Sequence, residues 1–260
     1  MELKGKTALV TGAAKGLGKR TALQLAEQGC NIVLNYYSSE MEAVEVKRQL
    51  EQFGVDVILV QADISTTEGV DKLANQAIAS MGGVDILINN AGPFVRERKL
   101  FVDYDEQTMV HLLHGNLLSA MLLDHKLLPY MMEKKWGRII HFGFGHAGEA
   151  RAWPHRAVYA AAKTGLVSFT KSLAVEVAPY GVTVNLIGPG DIRGNNKELA
   201  IADVLHQQDA ESPSGRPGTG EDVARVILFL CKEQSSFLTG NVVDVTGGFD
   251  PIRANIKGIM

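Results

Sequence analysis

The chain has 260 residues, 46% hydrophobic and 21% charged, proportions that fit an ordinary globular protein and one α/β domain of the larger kind. A formal net charge of −3 excludes the broad basic field on which nucleic-acid binding draws, so the expected partners are small molecules and further copies of the chain. Cys30 and Cys231 lie in apolar surroundings without CxxC spacing and read as buried free thiols of a reducing compartment rather than as a disulfide or metal pair. The opening "MELKGKTALV" lacks the apolar core of a signal peptide, and no run approaches the roughly 18 apolar residues of a membrane helix. A soluble cytoplasmic protein is expected.

The first predicted strand is "TALV" (7–10), and "TGAAKGLG" (11–18) follows it directly with glycines at 12, 16 and 18. Glycine permits positive φ and close backbone approach, and a helix starting there offers unpaired N–H groups and partial positive charge to a pyrophosphate. In "RTALQLAEQG" (20–29) Ala22, Leu25 and Ala26 share one helical face, and Gly29 ends the run. The second strand, "NIVLN" (31–35), leads into "NYYSS" (35–39), which lacks the acidic residue that would bind an adenine-ribose 2′-OH and repel a 2′-phosphate. Lys15, inside the turn, can pair with such a phosphate, so NADP(H) is favoured over NAD(H), although Tyr37 stands where an arginine would strengthen the case.

Further strands are predicted at "DVILV" (56–60), "VDILIN" (84–89), "GRIIHF" (137–142), "VTVNLI" (182–187) and "NVVDV" (241–245), separated by amphipathic helical segments. Continuous apolar strands alternating with helices predict an α/β fold: one Rossmann-type, doubly wound parallel sheet of about seven strands with helices on both faces, spanning 1–260 as a single domain. The apolar stretch "NLLSAMLLDHKLLPYMM" (116–132) reads as a helix buried against the sheet or a partner subunit. Regularity fails at 188–220, rich in Gly, Pro and polar residues, which reads as a substrate lid. "HLLH" (111–114) has no neighbouring carboxylate or cysteine set, so no metal site is expected. "VRERK" (95–99) reads as a solvated loop, or as a contact for an anionic carrier-linked or coenzyme-linked substrate.

"YAAAK" places Tyr159 and Lys163 at i and i+4, on one helix face and able to reach one cleft. A free phenol, with a pKa of about 10, is a poor base at neutral pH; a nearby ammonium and an oxidised nicotinamide both favour the phenolate.

The glycine turn, "NNAG" (89–92), "YAAAK" (159–163) and "GPG" (188–190) occur in that order, with "RPGTGEDVARVILFLCKEQSSFLTGNVVDVTGG" near the end. Together they resemble the classical short-chain dehydrogenases/reductases over nearly the whole chain, most of all 3-oxoacyl-(acyl-carrier-protein) reductases and bacterial glucose dehydrogenases. The resemblance implies a pyrophosphate turn at Gly12, Gly16, Leu17 and Gly18. It also implies an adenine contact at Asp63 and Ile64, a ribose contact at Asn90, Ala91 and Gly92, and further cofactor contacts at Pro189, Gly190 and the backbone of Ile192. Asn116 in "HGNLLSA" matches the asparagine supporting a proton-relay water, Tyr159 the catalytic acid/base, and Lys163 its helper, which also holds the nicotinamide ribose. The implied reaction interconverts a ketone and a secondary alcohol on a small or carrier-linked carbonyl substrate, and a homotetramer or homodimer is implied.

The pattern breaks in two places. Where the family keeps a serine that bonds the substrate carbonyl, one register reaches Phe144 and the other His146. Either His146 or a backbone N–H of "GFGHAG" replaces the donor, or the donor is missing, and loss of such a donor costs about 10² to 10³ in rate. Gly194 stands where a cofactor-binding threonine is common. Two alternatives therefore accompany the NADPH-dependent carbonyl reductase: an NADP(H)-binding protein with little catalysis, and a sugar or polyol dehydrogenase.

Overall fold

The computed structural model describes residues 3–250. The β-branched runs pair as strands β1 (Thr7–Val10), β2 (Asn31–Tyr36), β3 (Val57–Gln61), β4 (Ile86–Asn89), β5 (Gly137–Phe142), β6 (Val182–Pro189) and β7 (Val242–Val245). Between them run helices α1 (Gly16–Glu27), α2 (Glu40–Glu51), α3 (Thr67–Met81), α4 (Glu106–Leu113), α5 (Ser119–Glu133), α6 (Ala157–Val177) and α7 (Gly220–Cys231). The sheet order is β3-β2-β1-β4-β5-β6-β7 and every pairing is parallel. Parallel neighbours need long crossovers, which the helices supply. The chain winds outward from β1 to β3 and then returns to build β4 to β7 on the other side, opening a crevice beyond the ends of β1 and β4.

Alternation along each strand distributes the core. Ala8, Val10, Ile86, Ile88 and Ile140 pack with Leu25 of α1, Val46 of α2 and Ile227 of α7. Leu9, Leu87, Ile139 and Val184 face the opposite way and pack with Leu73 of α3, Leu123 and Leu127 of α5, and Val177 of α6. Both faces are thus covered, which is why the strands read as unbroken apolar runs. Truncating Leu9 or Leu87 to alanine, at sites with no exposed surface, would cost about 2–5 kcal/mol.

β2, β3 and β7 differ from expectation by one residue at one or both ends, and two boundaries differ by two. β4 begins at Ile86 rather than 84, and β6 continues to Pro189, whose partner is Val245. Cys30 and Cys231 are free and buried, and burial pushes both thiols up, Cys231 to about 12, leaving them unreactive. Among the described residues no helix is long and apolar enough to cross a membrane.

Candidate active site

The glycine turn after β1 is braced from two neighbouring strands. Asn35, at the end of β2, accepts the Gly12 N–H at 3.2 Å, and Thr11 Oγ1 accepts the N–H groups of Asn90 and Ala91, each at 2.9 Å. Asn90 Nδ2 donates back to the Thr11 carbonyl at 2.8 Å. Gly12 and Gly16 hold φ values of +61° and +62°, and a Cβ at Gly18 would stand 2.6 Å from the Gly12 carbonyl oxygen and 2.7 Å from Asn90 Nδ2. The turn therefore exists only with glycine at these positions.

Helix α1 begins at Gly16 without a side-chain cap of its own, unlike α3, α4 and α7, which Thr66, Asp105 and Thr219 cap. Its free end is met from the long segment between β6 and α7: the Gly16 N–H donates to Glu198 Oε1 at 2.9 Å and Lys19 Nζ to Oε2 at 2.8 Å. Burial pushes the Glu198 carboxyl up, but these two bonds outweigh it and hold the group below its ordinary value. Lys15 pairs with Glu42 on the first turn of α2, Nζ to Oε1 at 2.6 Å.

Beyond the strand ends lies a cleft of about 1650 Å³. Lys15, Gly16, Leu17, Asn90 and Gly92 line it on one side and Phe144, Tyr159 and Lys163 on another, while Asn116, Pro189, Gly190 and Ile192 complete the wall. Gly12, Gly18, Ala91, Asp63 and Ile64 do not line it. Gly12, Gly18 and Ala91 instead form the packed underside of the turn, and Asp63 Oδ1 accepts the N–H and hydroxyl of Ser65 at 2.9 and 2.6 Å.

Asn116 sits in a π-helical turn, His114–Leu118, that joins α4 to α5. Its Nδ2 donates to the carbonyls of Pro93 (2.8 Å) and Leu112 (3.0 Å), while Oδ1 is buried without a partner, so an acceptor faces the interior of the site unsatisfied. A Cβ at Gly92 would collide with that oxygen.

Lys163 is buried, with Nζ donating to the Phe142 carbonyl at 2.7 Å, and burial brings its pKa down to about 8. Burial takes the Tyr159 phenol the other way, to about 12. Lys163 Nζ lies 6.0 Å from the Tyr159 ring centroid with one of its three N–H groups on the strand carbonyl, and burial is the cause of the phenol's rise. Beneath the site, His141 on β5 bonds Asp124 of α5 (2.9 Å) and Thr170 of α6 (2.7 Å), and Asn89 of β4 donates to the same carboxylate at 2.9 Å. This buried network ties together β5 and α6, which carry the Phe142 carbonyl and Lys163, with β4 and α5, which adjoin Asn90 and the π turn of Asn116.

Of the donors that the sequence left open, His146 does not line the cleft. His146 adopts φ +68°, its N–H donates to Asp244 Oδ1 at 2.9 Å, and its ring bonds Glu149 at 2.9 Å, outside the cleft. The left-handed backbone turns the side chain away, and His155 lines the cleft instead. The amides of Gly143 and Gly145 are committed to the carbonyls of Ile187 and Pro189. What surrounds Tyr159 is aromatic: Phe94 meets it edge-on at 4.9 Å between centroids, Trp153 at 5.9 Å and Phe144 at 6.2 Å. Arg156 fixes this wall, donating to the carbonyls of Arg96 and Glu97 at 2.6 Å each and stacking 5.1 Å over Phe94. Neither Phe94, Trp153, Arg156 nor Glu198 carried a sequence signal beyond its residue type.

A family model described as enoyl-(acyl carrier protein) reductase matches residues 12–250. The 3-oxoacyl-(acyl-carrier-protein) reductase FabG of Aquifex aeolicus is 33% identical over 253 residues, covering 95% of this chain and 98% of that protein. The 3beta-hydroxysteroid dehydrogenase 1 of Eggerthella lenta is 38% identical over 252 residues, covering 95% and 94%. The chain belongs to the short-chain dehydrogenase/reductase family. Among solved structures, a metagenomic blue fluorescent protein in complex with NADPH superposes with a TM-score of 0.84 at 29% identity, covering 96% of this chain and 99% of that one. As a short-chain dehydrogenase/reductase, the protein is an oxidoreductase acting on CH–OH groups with a nicotinamide cofactor. Its residues fit that group: Gly16 at positive φ, the start of α1 with no side-chain cap from its own N-cap residue, and Asn116 with its buried, unsatisfied oxygen all border the cleft of about 1650 Å³.

Proposed function

We propose that the protein is an NADP(H)-preferring carbonyl reductase that converts an apolar ketone of 3-oxoacyl type, small or carrier-linked, to a secondary alcohol. The convergence of Tyr159, Lys163 and Asn116 on the cleft beside the glycine turn carries this reading. The bound cofactor supplies the hydride that reaches the carbonyl carbon. Tyr159 gives the phenolic proton to the carbonyl oxygen, and a phenol held near 12 is fully protonated at neutral pH and ready to donate. Lys163, buried and pinned to Phe142, presents its ammonium to the cofactor ribose and to the phenolate left after transfer. Asn116, pinned through Nδ2 to the carbonyls of Pro93 and Leu112 at the cleft wall, would support the water that returns the proton.

The preference for NADP(H) rests on Lys15 at the turn and on the lack of an acidic residue at the end of β2, where Tyr37 is exposed; Lys15 must exchange Glu42 for the 2′-phosphate. The rings of Phe94, Phe144 and Trp153 suit an acyl chain or alicyclic skeleton and offer a polyol few hydrogen-bonding partners. Exposed Val110, Leu113 and Leu118 on α4 and the π turn support assembly into a homodimer or homotetramer. A second reading, cofactor binding with weak catalysis, is favoured by Phe144 and the averted His146.

The test is NADPH oxidation by purified protein with a 3-oxoacyl thioester and a cyclic ketone, in wild type and Tyr159→Phe. Loss of about 10² to 10⁴ in kcat with NADPH binding retained supports the reductase. Tight NADPH binding without turnover on any ketone supports the second reading, and unchanged turnover in the variant removes Tyr159 from the mechanism.

A further inference from the structure

The lid reaches back to the phosphate turn through one side chain. Glu198 lies 182 residues from Gly16 in sequence, yet its two carboxylate oxygens take the Gly16 N–H and the Lys19 ammonium. A dinucleotide phosphate needs these same donors, since the N-terminus of α1 and its first-turn lysine are the local source of positive charge. The Gly16 N–H is a single donor and, while it points at a carboxylate, is not available to a phosphate; the Lys19 ammonium is drawn to the same carboxylate, and two anions on one helix end repel.

The surroundings show a built contact. Lys197 lies along the turn, so that a Cβ at Gly16 would stand 3.7 Å from Lys197 Cβ. The next lid residues dock on the start of α7, where Ile201 donates its N–H to Glu221 Oε2 at 2.6 Å, and Arg20 of α1 pairs with the same carboxylate at 3.4 Å. Helix α1 is left without its own cap while α3, α4 and α7 have theirs, so Glu198 serves as a cap supplied from the lid.

We propose that Glu198 is a built-in competitor for the cofactor phosphate: it latches the lid to the glycine turn in the free enzyme, sets the affinity for the dinucleotide, and is displaced when the cofactor binds. The inference rests on the reading of the cleft as a dinucleotide site. Binding exchanges one anion for another at Gly16 and Lys19, and the displaced carboxylate leaves with the 190–218 segment, so cofactor arrival and lid release become one event. The carboxyl is held ionised by its two donors, so the latch stays closed through the neutral range.

The experiment compares wild type, Glu198→Ala and Glu198→Gln by fluorescence titration with NADPH and, without cofactor, by limited trypsin cleavage of the lid at Arg193 and Lys197. Glu198→Ala should bind NADPH about tenfold more tightly, the size of one lost charge-assisted hydrogen bond, with Glu198→Gln between it and wild type. Lid cleavage should be several-fold faster in Glu198→Ala. Equal NADPH affinity across the three proteins, or lid cleavage unchanged in Glu198→Ala, overturns the latch while leaving the cofactor site in place. Failure of wild type to bind either NADPH or NADH overturns the dinucleotide reading and the latch with it. Should Glu198→Ala not fold, the near-isosteric Glu198→Gln gives the same two readouts.

Discussion

The two sides of the cleft are held by different forces. On the cofactor side, Thr11, Asn35 and Asn90 fix the glycine turn through a closed set of directional hydrogen bonds at 2.8–3.3 Å. On the substrate side, Phe94, Phe144 and Trp153 define the space by shape, with no side-chain donor beside Tyr159 from the β5 loop. Hydride geometry tolerates little displacement, so it is set by groups that act only at short range and fixed angle. Apolar packing is non-directional and admits related skeletons that fill the same volume.

Replacing Phe144 breaks this contrast most sharply. Phe144→Ser puts a hydroxyl on the aromatic wall; turnover of a short polar ketone should rise about tenfold, while the cavity left by a buried phenylalanine lowers stability by about 3–4 kcal/mol. Kinetics with polar and alicyclic ketones, beside chemical denaturation, measure both, and an unchanged polar-ketone rate would mean that the wall is not what limits such substrates. The cofactor side responds to Lys163→Met. That variant should lose turnover yet gain about 1–2 kcal/mol at pH 7, because it removes a buried ammonium and leaves one carbonyl unpaired. Since the folded-state pKa is depressed to about 8 from 10.5, the wild-type penalty is complete below pH 8 and fades as pH climbs toward 10.5. The advantage of the variant should therefore vanish near pH 10, and an equal gain at pH 7 and 10 would assign it to packing. The smallest effect belongs to His146→Ala: with its ring on Glu149, outside the cleft, kcat should be unchanged and stability should move by no more than about 0.5 kcal/mol.

The sheet was legible because burial on both faces writes itself into one dimension, as in "VILV" and "DILIN", where adjacent apolar residues serve opposite faces. Tyr159, Lys163 and the glycine turn were legible for a similar reason: i, i+4 spacing and a strand–turn–helix run are local geometry. The missing parts are set by distance in sequence or by backbone twist. Nothing near Glu198 points to Gly16, and nothing in "GFGHAG" shows that a left-handed residue will turn His146 outward. Nor does the turn sequence show that Lys15 pairs with Glu42 of α2. Nor does the spacing of Tyr159 and Lys163 show how deeply the phenol is buried, which raises its pKa to about 12.

Arg156 sits immediately before the first residue of α6, which carries both Tyr159 and Lys163. Its guanidinium clamps the 96–97 backbone and lies over Phe94, whose edge meets the tyrosine. Under the proposed mechanism the proton donor sits on α6, and the aromatic ring beside it is tied to the same helix through Arg156. A rotation of α6 carries both together, so the angle between ketone and phenol survives small movements of the helix that would misalign a site assembled from independent loops.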